Sequence, residues 1–258
     1  MLQQTPVSRV LPIWHEWVER WPEPADLAAA PPGEAIRHWG RLGYPRRALR
    51  LHQAAQAIVE RHGGVVPSDH AELLALPGIG SYTAAAVASF AFGQRHAVLD
   101  TNVRRVFARA VTGIEYPPVA TTAAETRLAT ELLPKEDARA ARWAVAVMEL
   151  GALVCTARSP KCAACPIADQ CAWRLAGSPP HSGPARKGQA WAGTDRQIRG
   201  ALLAALRVSR EPLSHPQLVI EVPDSALREP GQRSRCLAGL IEDGLVEPLA
   251  GERYQLPA

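Results

Sequence analysis

No stretch of this chain approaches the roughly 18 apolar residues that a membrane-spanning helix needs, and the best candidate, Ala84–Phe92, is far too short. The N-terminus lacks the basic stretch and apolar core of a secretory signal, so a cytoplasmic protein is the expectation. Alternation of apolar and polar residues, the mark of a half-buried strand, is missing before residue 170. Cysteine is scarce, five in 258 residues. In a cytosolic chain these are poor material for a disulfide framework, and four of them crowd between residues 155 and 171.

What is present suits a globular protein with a sizeable core: 47% of the residues are hydrophobic. The net charge of +4 suits a polyanionic partner, although many soluble proteins carry as much. Helical spacing of apolar residues runs through Val7–Trp21, Pro31–Leu42 and Arg46–His62, with proline-rich breaks at 22–24 and 31–32. Ser68–Leu76, Tyr82–Phe92, Asn102–Thr112, Ala123–Leu132 and Asp137–Cys155 read as further helices. Residues 1–176 are thus expected to form an all-α domain, followed by a Gly/Pro/Ser-rich linker over 177–193. Beyond it, helices over Arg196–Arg207, Ser214–Val222 and Gln232–Asp243 precede a short hairpin, Leu245–Leu249 and Arg253–Leu256. That order makes 194–258 a winged-helix-like α+β module.

Cys155, Cys162, Cys165 and Cys171 are spaced C-x6-C-x2-C-x5-C, close enough for four thiolates to wrap one metal centre from a single loop. Structural zinc is the competing reading, but it commonly pairs two similar knuckles and only one C-x2-C exists here. Arg158, Lys161 and Arg174 stud the same region and can meet phosphate. Cys236 lies far off in sequence and reads as a core residue. Upstream, Leu76-Pro77-Gly78-Ile79-Gly80 joins two helices, and its glycines can turn amide N–H groups toward a phosphate. Asp100, in Leu99-Asp100-Thr101-Asn102, precedes another helix, and capping that helix is the plainer reading of a single aspartate.

Glycine hairpin, aspartate and cysteine loop in this order resemble the helix–hairpin–helix DNA glycosylases of the endonuclease III and MutY superfamily over nearly all of residues 1–175. In the lyase branch, a sugar-attacking lysine stands two residues after the second hairpin glycine; Tyr82 occupies that place. No amine is available there for a Schiff base, so a monofunctional enzyme is implied. Asp100-x-Asn102, the opening Met1-Leu2-Gln3-Gln4-Thr5, Leu42-Gly43-Tyr44 and Met148-Glu149-Leu150-Gly151-Ala152 resemble the adenine-excising MutY branch.

The resemblance implies Asp100 as the carboxylate beside the sugar, oriented by Asn102 and Tyr82, and a [4Fe-4S] cluster held by Cys155, Cys162, Cys165 and Cys171. It implies a monomeric, nucleoid-associated protein on mismatched or damaged double-stranded DNA. Gln4 and Tyr44 stand where the family places wedge residues, and Gly78, Gly80, Arg46, Arg47 and Arg50 are candidates for gripping the DNA. The family's general-acid glutamate lies just upstream of the Met-Leu-Gln-Gln-Thr segment, with which this chain opens, so an upstream extension or a missing acid is the expectation. The roughly 65 residues after 193 are too few for the Nudix-like domain that reads 8-oxoguanine in the family. Two alternatives stay open: a glycosylase of the same fold for another lesion, and a non-catalytic iron–sulfur protein that binds DNA.

Overall fold

A computed structural model describes residues 1–3, 5–183 and 191–258. Gln4 and most of the expected linker lie outside the described residues. The helices are α1 (Val7–Arg20), α2 (Pro24–Ala29), α3 (Pro32–Trp39), α4 (Arg46–His62), α5 (His70–Leu74), α6 (Ser81–Phe90) and α7 (Thr101–Phe107). After them come α8 (Ala123–Leu132), α9 (Asp137–Leu153), α10 (Ala172–Leu175), α11 (Asp195–Val208), α12 (His215–Ile220) and α13 (Gln232–Glu242). Three short strands, β1 (Leu213–Ser214), β2 (Glu247–Leu249) and β3 (Arg253–Gln255), make one antiparallel sheet in the order β1-β3-β2. The described residues fall into two compact units: 1–66, 76–78 and 191–258 in the first, 67–75 and 79–183 in the second.

In the first unit the prolines act as helix starters rather than only as breaks. Pro24 and Pro32 sit in the first turns of α2 and α3, where a missing N–H costs nothing. Glu23 and Asp26 form a reciprocal capping box, which makes a six-residue helix of a stretch whose sequence reads as a break. Gly63, in the left-handed conformation, ends α4. The apolar faces of α1, α3 and α4 share one core with the C-terminal segment: Trp17, Ile36, Trp39 and Ala48 pack with Leu202, Leu206, Leu218, Leu240 and Leu256. Buried Trp17 and Trp39 donate their indole N–H groups to the carbonyls of His38 and Gly43, at 2.9 and 2.8 Å. Cys236 belongs to this core.

The C-terminal segment has the winged-helix-like make-up expected from the sequence, with an additional strand. Leu213–Ser214 pairs with β3 some 40 residues later, a partnership too short to show as a pattern. On α13, Arg233 pairs with Asp224 at 2.8 Å, and Arg235 with Glu229 and Asp195 at 2.7 and 3.2 Å.

The second unit is helical, apart from its loops, among the described residues. Asp69 caps α5 by accepting from the N–H groups of Ala71 and Glu72. A capping box between Thr122 and Glu125 starts α8. The helix expected over Asn102–Thr112 is two pieces: α7, then a π-helical turn over Ala108–Thr112, a wide geometry often found at functional places.

Gly33 shows how tightly the first unit is closed. Its N–H donates to the Pro257 carbonyl at 2.8 Å, and an added Cβ would stand 2.4 Å from that oxygen and 2.9 Å from Leu256 Cβ. Gly33→Ala should therefore destabilise the protein by about 1–3 kcal/mol, as overpacking does. Chemical denaturation checks this, and an unchanged midpoint would contradict the shared core.

Candidate active site

The turn between α5 and α6 uses its two glycines differently. Gly78 has φ +75, and a Cβ there would lie 2.6 Å from Arg50 Cβ, so both conformation and packing demand glycine. Gly80 is the N-cap of α6 in ordinary extended backbone, with open space where a Cβ would go. Only Gly78 of the two takes a conformation that favours glycine.

Asp100 caps α7. Its Oδ1 accepts from the Val103 N–H at 2.7 Å, and its Oδ2 accepts from Asn102 Nδ2 at 2.8 Å. The capping reading and the functional reading thus describe the same carboxylate, whose two oxygens are pinned by different donors. Tyr82, on the first turn of α6, packs against Ala85, Val98 and Ala144. Burial pushes its phenol above the ordinary range, and the charge of Asp100 pushes it further the same way. Tyr82 therefore keeps its proton at neutral pH.

Behind Asn102 stands a residue that the sequence did not single out. Arg105 donates through Nη2 to Asn102 Oδ1 at 2.8 Å and to the Gly151 carbonyl at 2.6 Å, and through Nε to the Cys155 carbonyl at 2.7 Å. Hydrogen bonds run without a gap from the Asp100 carboxylate through Asn102 and Arg105 to the first cysteine of the loop. Burial draws the Arg105 guanidinium below its usual range, with Cys155 partly opposing that. Arg104 and Arg109, also buried, flank it on the same short helical stretch. Arg104 forms a two-pronged ion pair with Glu125 at 2.8 and 3.0 Å and holds the carbonyls of Pro118 and Ala120. The sequence reading drew nothing from these three arginines; only their tertiary neighbours reveal them as buried.

Gly151 lets α9 press against this chain of bonds. A Cβ there would lie 2.8 Å from both the Cβ and the carbonyl oxygen of Asn102.

The cysteine loop is closed by backbone bonds from Lys161 N–H to the Val154 carbonyl (2.9 Å) and from Cys155 N–H to Leu150 (2.7 Å), with short 3₁₀ turns at Cys162–Ala164 and Ala168–Gln170. None of the four cysteines is in a disulfide, and all are half-buried. Among the described residues no three ligand-type side chains converge on a single ion. A single tetrahedral zinc would require sulfurs about 3.8 Å apart, given Zn–S bonds of about 2.3 Å. In a four-iron cluster each thiolate caps its own iron, so such convergence is not required. The fully buried cation Arg109 beside Cys155 Sγ, at 3.5 Å, also fits an anionic thiolate centre.

Of the other expected residues, Tyr44 is 57% exposed and held at φ +49, with the Arg47 guanidinium 4.5 Å from its ring centroid. Arg46 is ion-paired with Asp243 at 3.0 Å. These and Gly78 belong to the first unit; Tyr82, Asp100, Asn102 and the cysteines belong to the second.

Residues 1–129 match the HhH-GPD superfamily of base excision DNA repair proteins, and residues 155–171, from first to last cysteine of the loop, match the iron–sulfur binding domain of endonuclease III. The adenine DNA glycosylase of Mycobacterium tuberculosis is 50% identical over 257 residues, which is 100% of this chain and 83% of that protein. The chain belongs to the adenine DNA glycosylase family. A second member, from Mycolicibacterium smegmatis, is 52% identical over 99% of this chain and 84% of its own length, and the human adenine DNA glycosylase is 43% identical over 66% of this chain and 31% of its own. Among solved structures, a thermostable thymine-DNA glycosylase matches with TM-score 0.60 and 29% identity, covering 68% of this chain and 80% of that one. A non-covalent endonuclease III–DNA complex matches with TM-score 0.57 and 25% identity, covering the same shares. The cofactor of this family member is a [4Fe-4S] cluster, and four cysteines lie in the matched loop.

Gly151→Ala should push Asn102 and the start of α7 off their positions. Base excision should fall by about 10²-fold, the usual effect of a displacement of about 1 Å at a reacting site, if this is that site, while DNA affinity stays within a fewfold. Single-turnover kinetics with a parallel binding titration checks this, and a wild-type rate would contradict it.

Proposed function

We propose that this enzyme removes adenine from duplex DNA where adenine lies opposite 8-oxoguanine or guanine, by hydrolysing the N-glycosidic bond. The observation that carries the reading is the Asp100 carboxylate, fixed by Val103 and Asn102 next to a neutral Tyr82. The names of the full-length relatives support adenine as the base.

Glycosidic cleavage builds positive charge on the sugar, which water then captures at carbon, and negative charge on the departing purine, which takes up a proton from solvent or from the general acid that the family resemblance implies. A carboxylate held beforehand in the right direction stabilises that cation without reorganising. Asp100 takes this role, Asn102 holds one of its oxygens, and Tyr82, whose phenol feels the Asp100 charge, is its neighbour. A Schiff base needs an amine, and Tyr82 at the hairpin position has none, so the product is an abasic site rather than a cleaved strand. To reach Asp100, the adenine must leave the stack. Exposed Tyr44, with the Arg47 guanidinium over its ring, suits the side chain that fills the gap; Gln4 is the other candidate. Gly78 and Gly80, with Arg46 and Arg47, are the proposed contacts to the strand. Cys155, Cys162, Cys165 and Cys171 are the proposed cluster ligands, and the bound cluster supplies order to a loop that has little core of its own.

No described helix is long and apolar enough to cross a membrane, and we place the enzyme as a monomer at the nucleoid, where its substrate is. The test uses duplexes with adenine opposite 8-oxoguanine, adenine opposite guanine, thymine opposite guanine and an oxidised pyrimidine. Adenine release without strand cleavage is expected, and Asp100→Asn should lower the rate at least 10²- to 10³-fold while binding is kept. Preferential release of another base, or full activity in Asp100→Asn, would overturn the proposal.

A further inference from the structure

Arg109 is the most deeply buried charged side chain among the described residues, at 1% exposure. Its donors go to backbone carbonyls: Nε to Glu115 at 3.0 Å, Nη1 to Thr156 at 2.8 Å and Nη2 to Ala157 at 3.0 Å. The rings of Trp173 and Tyr116 lie 4.9 and 5.6 Å from its guanidinium carbon. Among the described residues no carboxylate is ion-paired with it, unlike Arg104 with Glu125. Carbonyl dipoles and ring faces offset only part of the cost of burying a full charge, so an anion is owed to this position. The remaining side-chain contact names that anion: Nη1 also donates to Cys155 Sγ at 3.5 Å. Cys171 Sγ lies 3.5 Å from the Arg109 carbonyl oxygen, which places it beside the same residue. The first and last cysteines of the loop thus both touch this one residue, which the π-helical turn carries.

We infer that Arg109 is the built-in counter-cation of the iron–sulfur cluster and sets its reduction potential. The inference rests on reading residues 155–171 as the cluster loop. Four thiolates leave the bound cluster net negative, and adding an electron makes it more so. A fixed positive charge, shielded from water by Trp173 and Tyr116, favours the reduced form and raises the potential. The same charge retains the thiolates, since losing the cluster would leave Arg109 buried without an anion.

The experiment compares wild-type holoenzyme with Arg109→Lys and Arg109→Met. It reads iron content per chain and, by protein-film voltammetry, the cluster's reduction potential. Arg109→Met should move the potential to more negative values by about tenfold in the oxidised-to-reduced ratio, which is about 59 mV for a one-electron couple. Arg109→Lys, which keeps the charge but not the hydrogen-bonding fork, should stay near wild type. Should Arg109→Met fail to hold the cluster, the inference expects Arg109→Lys to hold it. Equal loss in both variants, or a fully loaded Arg109→Met with the wild-type potential, overturns the inference while leaving the cluster reading intact. Wild-type protein prepared anaerobically without iron overturns both.

Discussion

One buried guanidinium holds the candidate site together. Arg105 is bonded at once to the side chain that orients Asp100, to the carbonyl of Gly151 on α9 and to the carbonyl of Cys155 at the mouth of the cysteine loop. A buried cation in such a place is stable only while every partner stays in position, and removing one partner from a buried charged network costs about 3–5 kcal/mol. Asn102, α9 and the loop are therefore fixed relative to one another by the same group. The Asp100 carboxylate gains its direction from this arrangement, while its cap on Val103 supplies the other point of attachment.

Features carried by short stretches of chain were legible in the sequence. The spacing of the cysteines, the glycine turn and Asp100-x-Asn102 each reflect local chemistry, and the helices from Arg46 and Ala123 begin where read. Features that depend on distant neighbours were not. Arg104, Arg105 and Arg109 are burial facts, set by Glu125, by the carbonyls of α9 and by the cysteine loop. Gly151 looks like any helical glycine until Asn102 is seen against it. Helix α2 was hidden because prolines that interrupt one helix also start the next, and β1 because two residues leave no pattern.

The two units divide the labour suggested by the sequence in an unexpected way. The second carries the carboxylate, its supports and the cysteine loop. In the first, the C-terminal segment shares a continuous core with the N-terminal helices, and the arginines of α13 are occupied by acidic partners. That segment therefore contributes to holding α1, α3 and α4, and with them the turn that carries the exposed Tyr44.

The chain of bonds through Asn102 and Arg105 aims the Asp100 carboxylate. That aim is tested most directly by the single-turnover adenine-excision rate of Arg105→Met, in preparations matched to wild type in iron content and DNA affinity. The account predicts a loss of about 10²-fold from misdirection of the carboxylate alone. A wild-type rate in such a preparation would contradict it.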